Sequence, residues 1–140
     1  MKRSALFLLA LLVPAASGFA AGGFKVVVHP SNPAAAISRD QLAHIFLKKS
    51  TSWPGGKRAV PVDQAEGSAV RTAFSKAVLQ KSVSEVKAYW QQQIFSGRSV
   101  PPAEKGSDDQ VLSFVAGNEL AVGYVTDGAD TGNVKVLRVE

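Results

Sequence analysis

Apolar residues in this chain fall alternately into short β-branched runs and into stripes at helical spacing. The run from Phe24 to His29 is rich in valine and stops at Pro30, Asn32 and Pro33, which predicts a buried strand entering a loop. Ser38 and Gln41 then have capping-box spacing, and Leu42, Ile45 and Phe46 share one face, so a helix is predicted from Ser38. After the loop from Trp53 to Gly56, the segment from Arg58 to Asp63 reads as a second strand, with Pro61 suggesting a sheet edge or the end of pairing. Val70, Ala73, Phe74, Ala77 and Val78 recur at i, i+3, i+4, i+7 and i+8 behind Gly67 and Ser68, predicting a second helix. Ser82 with Glu85, and Ser107 with Gln110, repeat the capping spacing ahead of two further apolar stripes that end near Gly97 and Gly117. Leu120 to Val125 and Val134 to Val139 complete the pattern as strands. The expected fold is an α/β domain with a mixed β-sheet flanked by helices and no internal repeat.

The first twenty residues follow a different logic. Lys2 and Arg3 precede an apolar run from Ala5 to Val13, then Pro14 and small residues up to Ala20. These are the three zones of a secretory signal peptide, with cleavage expected after Ala20. Nine helical residues rise only about 14 Å, too short for a hydrocarbon core of about 30 Å. The expected organisation is therefore a signal peptide over residues 1–20 and a single domain over residues 21–140, in the periplasm.

Composition then changes meaning. The whole chain carries 16 Lys plus Arg against 11 Asp plus Glu, a formal charge of +5, and contains no cysteine. Without Lys2 and Arg3 the charge falls to +3, the basic residues are dispersed, and no nucleic-acid motif is present. Nucleic acid is not an expected partner. The absence of cysteine excludes disulfide scaffolds, Cys-ligated metals and thiol nucleophiles. No nucleophile elbow, Walker loop or dinucleotide fingerprint occurs, so neither an enzyme nor a cofactor is implied.

The candidate chemistry lies at Gly67-Ser68, between a strand and a helix. The first N–H groups of a helix have no partner inside it and, with the helix dipole behind them, favour anions. Gly67 lets the backbone approach a ligand, the Ser68 hydroxyl can donate, Ala69 offers its N–H, and Arg71 can add charge one turn on. The plainer alternative is that Ser68 only caps its own helix. His29 and His44 lack metal-ligand spacing. His44 is expected to pair with Asp40, and His29, at a strand end, is more suggestive of a crevice. Asp108 and Asp109 read as support for a helix start, Tyr89 and Trp90 as core, and Trp53, in its Pro-Gly loop, as free for a surface or an interface.

Three segments in order carry a family resemblance. Ile45-Phe46-Leu47-Lys48-Lys49 with Trp53, Glu66-Gly67-Ser68 with Phe74, and Ala121-Val122-Gly123-Tyr124-Val125 together resemble the periplasmic phosphate-binding proteins of phosphate ABC transporters, within the periplasmic binding protein-like (type 2) superfamily. The resemblance implies that the Gly-Ser helix start holds phosphate between two lobes. Gly67 and Ser68 match the family's stretch, whereas Ala69, Val70 and Gln64 stand where the family has Gly, Thr and Arg. About 120 residues correspond to one lobe. The expected function is an exported binding protein for inorganic phosphate or a similar oxyanion at Gly67, Ser68, Ala69 and Arg71, with an ABC transporter permease or another periplasmic or membrane protein as partner. A homodimer can supply the missing wall through Trp53 and residues 96–102. The alternative is an interaction or sensor accessory module that has lost its ligand, favoured by Gln64, Ala69 and Val70.

Overall fold

The computed structural model describes residues 23–140, so the segment read as a signal peptide lies outside the described residues. Six strands form one sheet: β1 (Phe24–Val28), β2 (Ala36–Ile37), β3 (Val60–Gln64), β4 (Ala103–Lys105), β5 (Ala121–Thr126) and β6 (Lys135–Val139), in the spatial order β2-β6-β1-β5-β3-β4. β1 is antiparallel to both neighbours, while β2 runs with β6 and β3 runs with β4 and β5. All strands except β1 therefore point the same way.

Four α-helices occur among the described residues: α1 (Arg39–Phe46), α2 (Ala69–Phe74), α3 (Val83–Phe95) and α4 (Asp108–Ala116). Each begins at a serine whose hydroxyl oxygen accepts the third N–H of its helix: Ser38, Ser68, Ser82 and Ser107. At Ser82 the box is complete, because Glu85 reaches back to the Ser82 N–H. The stripe predicted as one helix from Val70 to Val78 is divided. α2 passes at Ser75 into a π-helical turn, Ser75–Leu79, which ends at Gln80 in the left-handed region.

α1, α2 and α4 directly follow β2, β3 and β4, so three serine-capped helix starts gather at the carboxyl edge of the sheet. Apolar side chains cover both faces of the sheet. Phe24, Val26, Val122 and Tyr124 face α1, α2 and α3 with Leu42, Phe46, Phe74 and Trp90, whereas Val27, Val62 and Val125 face α4 with Val111 and Val115. Phe74 stacks on Tyr124 at 3.9 Å between ring centroids, and Phe46 packs against both rings.

Two expectations are corrected. Of the two readings of Pro61, the edge is ruled out because β3 lies between β5 and β4, while the end of pairing holds because the ladder to β5 stops there. The partner of β3 changes along its length, being β5 at Val60 and Pro61 and β4 from Val62 to Gln64, so the proline without an N–H sits where the ladder changes sides. Trp53 is buried rather than free, with its indole N–H donating to the Leu120 carbonyl at 3.2 Å.

Close packing against α4 leaves no room at Gly123, where a Cβ would stand 2.7 Å from Val111 Cγ1 and 2.8 Å from Val62 Cγ1. Gly123→Ala should lower stability by about 1–3 kcal/mol through overpacking, read as a lower urea midpoint.

Candidate functional site

Toward the carboxyl edge the ladder between β3 and β5 stops after Pro61, and side chains take over its work. The Gln64 N–H donates to the Tyr124 hydroxyl at 3.2 Å, while its side-chain amide donates to the Tyr124 carbonyl at 3.0 Å and to Asp108 Oδ1 at 2.7 Å. The Tyr124 hydroxyl in turn donates to Asp63 Oδ1. Asp108 Oδ1 also accepts the Thr126 N–H at 3.0 Å, so this residue joins α4, β3 and β5 as well as supporting its own helix start.

Arg71 closes the network from α2. Its Nη1 donates to the Gln64 carbonyl at 2.8 Å and to Glu104 Oε1 at 2.7 Å, and its Nη2 lies 3.6 Å from Asp63 Oδ2. The residue is only 5% exposed. The expectation that Arg71 adds charge to an anion at Ser68 meets a guanidinium already engaged by Asp63, Glu104 and the Gln64 carbonyl. A strand ending in two polar residues, Asp63-Gln64, followed by an arginine in the next helix was the available sequence signal. It identifies polar residues entering a core, but not which way the arginine turns.

Burial is the largest influence on Asp63 and raises its carboxyl above the ordinary value, against the charge of Arg71 and the hydrogen bond from Tyr124. Burial, with the charge of Asp63, also pushes the Tyr124 hydroxyl far above the usual tyrosine range. Burial acts to lower Arg71, but the charge of Asp63 and the hydrogen bond to Glu104 outweigh it and leave the guanidinium held more firmly protonated. Asp108 goes the other way: burial pushes it up, but hydrogen bonds from Gln64 and Thr126 hold it below its ordinary value.

The other predicted positions divide between this edge and other parts of the fold. Ser68 is half-buried and accepts the Arg71 N–H at 3.1 Å, which leaves its hydroxyl proton free to donate. Ala69 and Val70 open α2, where their N–H groups have no partner inside the helix. Gly67 is exposed, and a Cβ there would meet nothing within 4 Å. His29 follows β1, the reversed strand, so it lies at the far end of the sheet, where its ring bonds Ser31 at 2.8 Å. His44 is exposed in the last turn of α1, and no ion pair links it to Asp40 among the described residues. Tyr89 and Trp90 pack as core, with the Tyr89 hydroxyl donating to the Leu47 carbonyl at 2.7 Å. No group of residues able to hold a metal occurs among the described residues.

Parallel strands that carry helix starts at one edge, beside a reversed β1, give the chain a fold it shares with about half of several solved phosphate-binding proteins. Solved structures with this fold include a phosphate ABC transporter substrate-binding protein with bound phosphate from Clostridium perfringens, at 24% identity and TM-score 0.66. An ABC-type phosphate transport receptor from Vibrio cholerae matches at 20% and 0.65, and PstS from Borrelia burgdorferi at 12% and 0.65. Each match covers 84% of this chain but only 44%, 46% and 47% of those proteins, so the chain spans less than half their length. Compared by sequence, it matches no family model and no curated protein.

Removing Arg71 would leave Asp63 buried and unpaired. Arg71→Met should cost about 3–5 kcal/mol near pH 7. A folded-state pKa raised above the unfolded one makes stability fall as pH rises between the two values. Without Arg71 the Asp63 carboxyl should rise further, so the deficit relative to wild type should shrink near pH 4.5. Asp108 contributes stability that is lost as pH falls through its lowered value, in both proteins alike. Urea unfolding at the two pH values checks this, and a deficit independent of pH would contradict it.

Proposed function

We propose that the chain is an exported, single-lobe oxyanion-binding module that receives phosphate or a similar tetrahedral anion at the start of α2. The observation that carries this reading is the pair of N–H groups at Ala69 and Val70 without a partner inside the helix, at the carboxyl edge of a fold shared with phosphate-binding proteins. The open space above Gly67 gives an anion access, and the Ser68 hydroxyl adds a donor. In α/β sheets, ligands collect outside the carboxyl ends of the strands, which agrees with this placement. Arg71 acts as a positioning residue, because its guanidinium fastens α2 to β3 and β4 while its N–H sets the Ser68 oxygen.

Three or four hydrogen bonds at about 1 kcal/mol each place the affinity in the millimolar range. No guanidinium adds to it, and the carboxylates of Glu66, Glu104 and Asp108 around the edge oppose an anion. Periplasmic location, with residues 1–20 as the export signal, and delivery to an ABC transporter permease belong to the same proposal. The second reading is a periplasmic interaction or sensor accessory module without a ligand. It draws support from Gln64, Ala69 and Val70 and from the apolar residues exposed at the end of α3, above all Phe95 at 95%.

Calorimetric titration with phosphate and sulfate separates the two readings. Millimolar binding is expected, weakened about fivefold by Ser68→Ala, which also costs about 1 kcal/mol of stability through the lost cap. Gly67→Val should block binding with stability unchanged. No heat and no melting shift at 20 mM of either anion would overturn the oxyanion reading.

A further inference from the structure

A cavity of about 410 Å³ opens at the amino ends of β3 and β5, across the sheet from Ser68, and the oxyanion reading makes no use of it. Its volume lies within the range of small-molecule sites, about 300–1,000 Å³. Pro33, Ile37, Trp53 and Leu120 supply an apolar lining. Trp53 is fixed by the bond from its indole N–H to the Leu120 carbonyl, so it contributes a rigid ring and no free donor.

Three polar side chains in the lining have chemistry to spare. Asn32 is only 8% exposed; its Oδ1 accepts the Ala34 N–H at 2.9 Å, its backbone carbonyl accepts Lys135 Nζ at 2.8 Å, and its side-chain N–H₂ has no partner among the described residues. No buried side-chain nitrogen or oxygen among the described residues lacks a partner, so this amide nitrogen is open to the cavity and can donate to a ligand there. Lys57 and Glu119, one cation and one anion, stand at the exposed rim, and neither forms an ion pair among the described residues.

We propose that this cavity binds an apolar α-amino acid. Its side chain packs against Trp53, Pro33 and Ile37, its carboxylate accepts from the Asn32 amide and faces Lys57, and its ammonium faces Glu119. An aliphatic or aromatic anion would meet Glu119 uncompensated, and an amine would leave Lys57 and the Asn32 donor unused. A zwitterion with an apolar body answers all three groups.

The test is titration of the purified protein with L-phenylalanine, 3-phenylpropionate and 2-phenylethylamine. Binding is followed by the NMR signals of the Trp53 indole N–H and the Asn32 side-chain amide. L-Phenylalanine should shift both signals saturably, and each analogue, lacking one charge, should bind at least tenfold more weakly. Asn32→Asp keeps the oxygen that accepts from Ala34 and replaces the donor with an anion, so it should weaken L-phenylalanine at least tenfold. Lys57→Gln, at an exposed position, should weaken it without altering the fold. The proposal is overturned if 20 mM L-phenylalanine leaves both signals unmoved, if the analogues bind as well as the amino acid, or if both variants bind like wild type. Phosphate titration reads the edge at Ser68 independently, so either proposal can fail alone.

Discussion

The Arg71 guanidinium, held among Asp63, Glu104 and the Gln64 carbonyl, is the interaction on which the carboxyl edge depends. A buried charge is costly unless it is paired and hydrogen-bonded, and here both conditions are met from three directions. The result is a cross-brace: one side chain on α2 reaches the end of β3 and the edge strand β4. Where the ladder between β3 and β5 stops, Asp63, Gln64 and Tyr124 bond across the gap. The stack of Phe74 on Tyr124 seals the apolar side of the same region.

This brace also sets what the edge can offer a ligand. With its arginine turned inward and matched by carboxylates, the lobe presents backbone N–H groups and one hydroxyl rather than a guanidinium. Such donors are directional and fixed, but in an open, wet site each competes with water. On the proposed reading, the same geometry both allows an oxyanion to be recognised and keeps its binding weak. The far end of the sheet is the opposite case, an apolar cavity with an accessible amide donor and two unmatched charges at its rim.

Much of the fold was legible in the sequence because its signals are local. Four serines at capping positions and the stripes behind them marked all four helices, since a cap and a helical period need only neighbouring residues. What was not legible depended on tertiary partners. Pro61 suggested an edge or the end of pairing, and only the tertiary fold decides between them: the strand is interior and the ladder changes sides around the proline. Trp53, in a loop of Pro and Gly, looked free, yet the carbonyl of Leu120, distant in sequence, holds it. Arg71 looked like part of a binding surface because Ser68 is so near. Its true partners come from the strand before it and from Glu104, thirty-three positions away.

The central claim is that the edge meets an anion through the first N–H groups of α2 while Arg71 stays committed to the interior. Phosphate titration followed by NMR of both the backbone amides and the Arg71 guanidinium tests it most directly. The account predicts saturable shifts at Gly67, Ala69 and Val70 with the Arg71 side-chain signals unmoved. Shifts at the Arg71 guanidinium, or a response confined to other parts of the chain, would contradict it.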